Sequence, residues 1–366
     1  MTSDSIKIFD PVPWFEAPAL AGTSHSLGAM AGRWVALCFV NDLSDPAIVR
    51  TLGDIIVSLG RFFNDDHVVF YAVLTSPPSD TTPFMQASHR GMGFLTDYEG
   101  QITKMYGAEA KPCIILVDPL LRANKIFPLG AEGVSSEQII SCLRDLPLID
   151  DSAGVTMTAP ALIIPRVFES DFCDYLIGLY EQNGGKDSGF MIDEGGKTKT
   201  IIDHSKKQRH DFLVEDAAVR EGIRDRIVRR VLPAMERFFQ YRPTRMDRYL
   251  VSCYGAEDGG HFSRHRDNVN AGARHRKFAA SFNLNGNYDG CDLLFPEFGR
   301  RLYRAPVGGA IVFSTGALHQ VTPITRGKRY AFVPFFYGEE EAQQRLINNS
   351  SLHEGEGLYT GANDKL

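Results

Sequence analysis

From Met246 to Phe336 the apolar residues fall into short runs separated by Gly, Asn and Pro turns. An alternating strand buries only one face, so a series of short strands satisfies its apolar faces only by stacking sheet on sheet. The pattern predicts a β-sandwich or jelly roll over this stretch. The chain before it follows different rules, and a length of 366 residues exceeds what one small core usually fills. Two domains are therefore expected.

The first domain reads strand, helix, strand, helix, two closely spaced strands and a last helix. "RWVALCFV" and "HVVFYAVLTS" are apolar runs of strand length, "PAIVRTLGDIIVSLGRFF" has helical period, and "PCIILVDPLLRANKIFPL" reads as two strands around a turn. The closing helix, "SSEQIISCLRDL", opens with Ser135 and Gln138 at capping-box spacing. This order predicts an α/β domain over residues 1–148, followed by a linker over 149–158 rich in small, turn-prone residues. A second domain should fill 159–340, with a polar, loosely held tail over 341–366. Within the second domain "SDFCDYLIGLYEQNG" predicts a helix with Ser170 as N-cap and Gly184 near its end. A polar loop should then run to about His210, and one long amphipathic helix, "EDAAVREGIRDRIVRRVLPAMERFFQ", should kink at Pro233.

Composition excludes several classes of function. Hydrophobic residues at 43% and charged residues at 23% are ordinary for a globular protein, and no apolar run approaches the roughly 20 residues that span a bilayer. No membrane partner is expected. The opening "MTSDSIKIFDPVPWF" lacks a basic and then apolar leader, which suggests the cytoplasm. The six cysteines are scattered without metal-site spacing and read as buried free thiols. A net charge of −6 argues against nucleic acid as a partner. Locally, "RHRDNVNAGARHRK" is basic and would suit an anionic small molecule or simply a solvated loop.

The chemistry concentrates in "HFSRHRDN", residues 261–268. On an extended strand His265 and Asp267 project to one side and can reach one ion, while Arg266 points away. His319, in "VFSTGALHQVTP", supplies a third ligand from another strand. Two imidazoles and one carboxylate form the facial triad of non-haem Fe(II) oxygenases, with open positions for a bidentate 2-oxoacid and for dioxygen. The far carboxylate of such an acid needs a fixed cation, and Arg329 in "RGKRYAFVPFFY" is suited to it, with Lys328 on the opposite face. The four-residue spacing of His261 from His265 would serve a helix, not a strand, so His261 is not expected to ligate. No HExxH and no phosphate-loop motif occurs.

Over residues 158–338 the chain resembles the prolyl 4-hydroxylase-type Fe(II)/2-oxoglutarate dioxygenases. The likeness rests on the triad, on Arg329, and on "CYGAEDGGHFSRHRD", "FNLNGNYDGCDLLFPEFG" and "PVGGAIVFSTGALHQVTPITRGKRYAFVPFFY". Cys291 departs from it, standing where a second glycine is usual, and this should alter the turn without touching a ligand. The resemblance implies a double-stranded β-helix (jelly roll) core in an α+β domain. It further implies Fe(II), 2-oxoglutarate as cosubstrate, O2 and ascorbate, with oxidative decarboxylation to succinate and CO2 and hydroxylation of a C–H bond. Related halogenases lack the carboxylate that Asp267 keeps, so hydroxylation is favoured. Tyr254 and Asn283 are candidates to bind the cosubstrate; a core tyrosine and a turn side chain are the alternatives. His275 and Arg276 read as surface charges, and Arg209 with His210 as part of a loop closing over substrate.

The first domain resembles the peroxiredoxin branch of the thioredoxin fold, through "PWFEAPAL", "VALCFV", "FLTDYEGQITKMYGAE" and "CIILVDP", with Pro112 in the place of a cis-proline. Laid on "FVNDLSDPA", the family's Pro, Thr and Cys fall on Val40, Ser44 and Ala47. The peroxide-attacking thiol is absent, and an alanine methyl cannot replace it. Cys38, inside an apolar strand, is the only nearby thiol. Packing, homodimer formation or substrate docking remain as roles for this domain. The leading expectation is a hydroxylase acting on an amino acid, a peptidyl residue or a small metabolite. A non-catalytic scaffold, or residual thiol peroxidase activity through Cys38, is the alternative.

Overall fold

The computed structural model describes residues 6–41, 43–77, 91–354, 358–360 and 364–366. It divides into two compact units, Met1–Thr158 with Pro296–Arg300, and Ala159–Phe295 with Arg301–Leu366.

In the first unit the order of strands across a five-stranded sheet is Met92–Thr96, Val68–Leu74, Trp34–Val40, Cys113–Val117, Ala123–Pro128. The first three are parallel and the last two antiparallel to their neighbours. Trp34–Val40 and Val68–Leu74 are buried throughout, which explains why they read as continuous apolar runs rather than alternating ones. Helices Pro46–Leu59 and Ser136–Arg144 supply Ile48, Leu52, Ile55, Ile139 and Leu143 to one core with this sheet. The capping box of Ser135 and Gln138 forms in both directions. Strand Met92–Thr96 and a hairpin of Glu16–Pro18 with Ser24–Ser26 were not legible in the hydrophobic pattern. All described peptide bonds are trans, Pro112 included, contrary to the expectation of a cis-proline.

Ala47 lies in the first turn of helix Pro46–Leu59, where Asp45 caps the backbone by accepting from Ala47 N at 2.8 Å. A helix N-terminus is where a thiol would be driven toward thiolate, and here it carries a methyl. Cys38 is fully buried on the central strand, and burial raises its pKa well above the ordinary thiol value.

Two antiparallel sheets form the body of the second unit, with two small two-stranded pairs beside them. The smaller has the order Lys207–Gln208, His261–His265, His319–Val321, Leu293–Leu294, Leu302–Tyr303. The larger runs Arg245–Asp247, Phe335–Tyr337, Phe278–Asn283, Lys328–Phe332, Leu250–Gly255, His210–Leu213, Lys186–Asp187, with Ala310–Ser314 joined to Phe278–Asn283. Helices Ser170–Asn183, Ala217–Arg230 and Leu232–Phe239 cover its outer face. Val251, Cys253, Ala280, Phe282, Tyr330 and Phe332 point to those helices. Strand alternation then sends Ser252, Tyr254, Ser281 and Arg329 to the inner face.

Several local expectations are corrected. The helix expected to kink at Pro233 breaks at Val231 into two, with Pro233 in the first turn of the second, where its missing N–H costs nothing. Glu169, not Ser170, is the N-cap of helix Ser170–Asn183, while Gly184 ends it as expected. The stretch read as a polar loop contains the hairpin Phe190–Glu194 with Lys197–Ile201, turned by Gly195 and Gly196 at φ 58° and 76°. Both glycines occupy the left-handed region that a two-residue hairpin turn requires. The tail read as loosely held begins with helix Glu339–Asn348, whose Arg345 lies 3.3 Å from Asp247. Further on, the buried Asp364 accepts from Arg245 at 2.8 Å; residues 355–357 and 361–363 of that tail lie outside the described residues.

Candidate metal centre

His265 closes the strand His261–His265 and stands directly opposite His319 across the antiparallel pair. Between Phe262, which pairs with Val321, and His265, which pairs with His319, the register shifts. Three steps on one strand against two on the other constitute a bulge, the device that re-aims a side chain at a sheet edge. The imidazole rings come to 4.2 Å between centroids. Asp267 lies two residues beyond the end of the strand, not on it as strand alternation alone supposed. It is held by a bond from its own N–H to the Thr315 carbonyl at 3.0 Å. Arg266 clips the same two loops together by donating to the Gly316 carbonyl.

The three side chains converge. Asp267 Oδ1 is 3.5 Å from His265 Nε2 and Oδ2 is 3.4 Å from His319 Nε2, and one donor atom from each residue lies within 4.8 Å of the others. Each histidine has its Nδ1 against a carbonyl of its own chain two residues back: Ser263 at 2.7 Å for His265, Ala317 at 3.0 Å for His319. A carbonyl only accepts, so Nδ1 carries the proton and Nε2 presents its lone pair to the site. Burial, helped by His265, lowers the His319 pKa to about 4, so its imidazole is neutral at physiological pH. Burial alone would raise the Asp267 pKa, but the neighbouring imidazoles hold it below the usual carboxylate range. The result is a donor set of two imidazoles and one carboxylate. Phe262 stacks on His265 at 3.5 Å and Phe313 meets His319 edge-on at 4.7 Å, fixing both rings.

These donors line a cleft of about 550 Å³, open solvent at its mouth included, within the range of small-molecule sites. Arg329 enters from the larger sheet, 5% exposed, on the strand that pairs it with Tyr254. Its Nη2 donates to Ser281 Oγ at 2.7 Å and its Nε to Asn283 Oδ1 at 3.4 Å. No carboxylate pairs with it among the described residues. Lys328 faces outward and is exposed.

The remaining sequence candidates are distributed as follows. Tyr254 lines the cleft, its hydroxyl 3.5 Å from Arg209 Nη1. Asn283 does not line it. The side chain accepts from Tyr288 and Arg329 and donates to the carbonyls of Asn285 and Ala305, so it holds Arg329 from behind. His261 turns to the carbonyls of Gly259 and Ser205, outside the triad. His275 and Arg276, expected on the surface, are 3% and 6% exposed: His275 packs beside Asp247, and Arg276 lies 4.0 Å over the Phe335 ring. Arg209 is also buried, in an ion pair with Asp211 at 2.6 Å, and His210 belongs to a strand paired with Leu250–Gly255. Cys291 adopts φ 58°, so the turn keeps the left-handed backbone a glycine would give, and its Sγ reaches Arg329 Nη1 at 3.9 Å.

Sequence reasoning missed Ser281, Lys207, Arg248 and Phe262 as cleft residues. Ser281 had a signal, since it shares a strand face with Asn283. Arg248 had none, because its placement depends on a turn.

The comparisons with known proteins agree with this geometry. Residues 249–337 match the model of the 2OG-Fe(II) oxygenase superfamily, and residues 8–123 match that of the AhpC/TSA family. A PKHD-type hydroxylase of Maricaulis maris is 31% identical over 175 residues, covering 46% of this chain and 74% of the relative. The chain belongs to the 2OG-Fe(II) oxygenase superfamily. It is a 2-oxoglutarate-dependent oxygenase of the hydroxylase type, preceded by a thioredoxin-like domain. A PKHD-type hydroxylase of Synechococcus is 34% identical over 114 residues, 28% of this chain and 50% of that relative, so the match spans half of its length. Among solved structures, a prolyl hydroxylase from Trichoplax adhaerens in complex with a hypoxia inducible factor peptide fragment aligns over 52% of this chain and 87% of its own. Its identity is 18% and its TM-score 0.40.

Proposed function

We propose that the second unit hydroxylates an unactivated C–H bond of an amino acid, a peptidyl residue or a small metabolite. For each turnover one substrate, one 2-oxoglutarate and one O2 give the alcohol, succinate and CO2. The observation that carries this reading is Arg329, a buried cation without a carboxylate partner among the described residues, facing the same cleft as the three metal donors. A buried charge without a counter-charge is costly, and a dicarboxylate cosubstrate would supply the anion.

The donor set fits a divalent iron: two imidazole nitrogens and one carboxylate oxygen on one side, with open cleft on the other. His265, Asp267 and His319 would hold it, and when bound it supplies the activation of dioxygen and of the cosubstrate's keto acid end. The protein's own residues set the arrangement. Arg329 and Ser281 orient the distal carboxylate, and Asn283 keeps the Arg329 guanidinium in place. Tyr254 offers a phenol beside it. Leu293, Phe313 and Val321 exclude water around the metal donors. Asp267 fills the carboxylate position, so hydroxylation rather than halide transfer is expected. Ascorbate is the expected auxiliary reductant.

We read the two sheets of this unit, their inner faces turned to the cleft, as the halves of a double-stranded β-helix. The first unit is taken as non-catalytic and as a homodimer contact, since Ala47 stands where thiol chemistry would need a cysteine. All six cysteines are free, as in a reducing compartment, which favours the cytoplasm. No helix among the described residues is long and apolar enough to cross a membrane.

The test is substrate-stimulated succinate release over a panel of amino acids, peptides and metabolites, with mass spectrometry for one added oxygen. His265→Ala should abolish release while leaving the far-UV circular dichroism unchanged. Undiminished turnover in that variant refutes the reading.

A further inference from the structure

The cleft holds more positive charge than a dicarboxylate cosubstrate accounts for. Besides Arg329 it is lined by Lys207, Arg209 and Arg248, and among its lining residues only Asp267 is acidic. Arg209 is neutralised by Asp211. Lys207 and Arg248 are not neutralised by anything comparable. Lys207 Nζ donates to Ser188 Oγ and the Gly189 carbonyl, both at 2.7 Å, and lies 5.0 Å over the Phe262 ring, with no ion pair among the described residues. Arg248 makes no hydrogen bond and no ion pair among the described residues; its guanidinium lies 5.3 Å over the Phe335 ring. The nearby anions are committed elsewhere: Asp267 to the metal donors, Asp211 to Arg209, and Asp247 to Arg345.

Backbone conformation sharpens the point. Arg248 has φ 61°, in the left-handed region that residues other than Gly, Asn and Asp seldom adopt. Strain of this kind is tolerated where it aims a side chain at a site. Here it turns a guanidinium into the cleft between strands Arg245–Asp247 and Leu250–Gly255.

Arg248 also lies at the end of the cleft away from Arg329. Arg329 pairs with Tyr254, and strand Leu250–Gly255 begins four residues earlier, about 13 Å along the strand, with Arg248 beyond that. A five-carbon diacid is shorter than two residues of extended chain, about 7 Å, so a cosubstrate seated on Arg329 leaves Arg248 unmatched. Val333, Pro334, Phe335 and Ala279 wall this end, an apolar floor beside a cation.

We propose that the primary substrate carries a carboxylate, bound by the Arg248 guanidinium at the end of the cleft opposite the cosubstrate. The proposal rests on the hydroxylase reading above. One planar guanidinium fork matches a carboxylate in two parallel hydrogen bonds. Burial and then the neighbouring Arg209 lower the Lys207 ammonium's pKa well below its ordinary value, so Arg248 is the cation on which the site rests.

The test uses the full chain with Fe(II), 2-oxoglutarate, O2 and ascorbate. N-acetyl amino acids and aliphatic monoacids are screened for succinate release, each as the free acid and as the primary amide, alongside peptides with internal Asp or Glu and phosphate monoesters. The expected result is an acid that stimulates release at least about tenfold more than its amide. Stimulation by N-acetyl amino acids assigns an α-carboxylate, and stimulation by the acidic peptides a side-chain carboxylate. Arg248→Asn, which suits a left-handed backbone, should weaken that stimulation about tenfold to a hundredfold, and Arg248→Lys should recover part of it. The proposal is overturned if no acid exceeds its amide, if phosphate monoesters are the better stimulators, or if Arg248→Asn leaves the acid's effect intact. Failure of the wild type to bind 2-oxoglutarate with Mn(II), titrated without any substrate, overturns instead the hydroxylase reading and is seen before the panel is run.

Discussion

Replacing Arg329 by Met should move two measurements in opposite directions. The guanidinium is 5% exposed, has one short hydrogen bond to a neutral hydroxyl, Ser281 Oγ at 2.7 Å, and a longer one to Asn283 at 3.4 Å. Without cosubstrate it is a desolvated charge with no counter-charge, and apolar replacement of buried ionic groups commonly gains about 1–4 kcal/mol. Against this, Ser281 loses its partner at about 1 kcal/mol, whereas Asn283 Oδ1 keeps Tyr288. The net is a more stable ligand-free protein by about 1–2 kcal/mol, or roughly 3–6 °C in melting temperature for a unit of this size. Cosubstrate binding should fail in the same variant. Two charge-assisted hydrogen bonds at about 1.5 kcal/mol each correspond to about a hundredfold in affinity. Thermal melts without ligand, and calorimetric titration of 2-oxoglutarate in the presence of Mn(II), read the two effects separately. At a ligand concentration a hundred times its Kd the wild type should gain about 2.7 kcal/mol and Arg329→Met almost nothing. A Met variant that binds 2-oxoglutarate like the wild type, or that melts well below it when empty, would refute the assignment of Arg329 as a clamp awaiting an anion.

Other outcomes follow from the same structure. Asp267→Asn removes the anionic donor beside the two imidazoles and should weaken Mn(II) binding at least about tenfold, measured by electron paramagnetic resonance of the free ion. Burial lowers the His275 pKa from its ordinary value despite Asp247. The unfolded chain therefore binds the extra proton first, and stability should fall as pH drops below about 6.5. His275→Gln should flatten that part of the profile in urea melts across pH 5 to 7, and an unchanged slope would count against it. Hydrogen peroxide consumption should be no faster in the wild type than in Cys38→Ser, since that thiol is buried and pushed toward its protonated form.

The members of the candidate metal centre were legible because each obeys a rule that acts over a few residues. His265, Asp267 and His319 are the residue types a divalent iron needs, and Arg329 is the cation that alternation turns inward while Lys328 faces out. The positions that escaped depend on contacts far along the chain. The bulge that aims His265 is a property of two strands in register, and the reach of Asp267 depends on Thr315. His275 and Arg276 sit in a run whose charges look solvated, yet Asp247 and Phe335 bring them inside. The hairpin at Gly195 and Gly196 was missed because polarity was weighed above alternation; "KTKTI" alternates and the glycine pair is a turn signal. In the first unit the buried parallel strands were read correctly, whereas Met92–Thr96 was not, because its short, Gly-containing run is too weak to stand without its neighbour Val68–Leu74.

The bulge between Phe262 and His265 decides which way the candidate metal centre faces. Phe262 and His265 are three residues apart yet both line the cleft, which plain alternation forbids; the bulge takes up the odd residue and keeps His265 opposite His319. A single-codon deletion at Ser263 or Arg264 would leave the two histidines paired on one face, and metal binding by that variant separates the part played by the bulge from the part played by pairing.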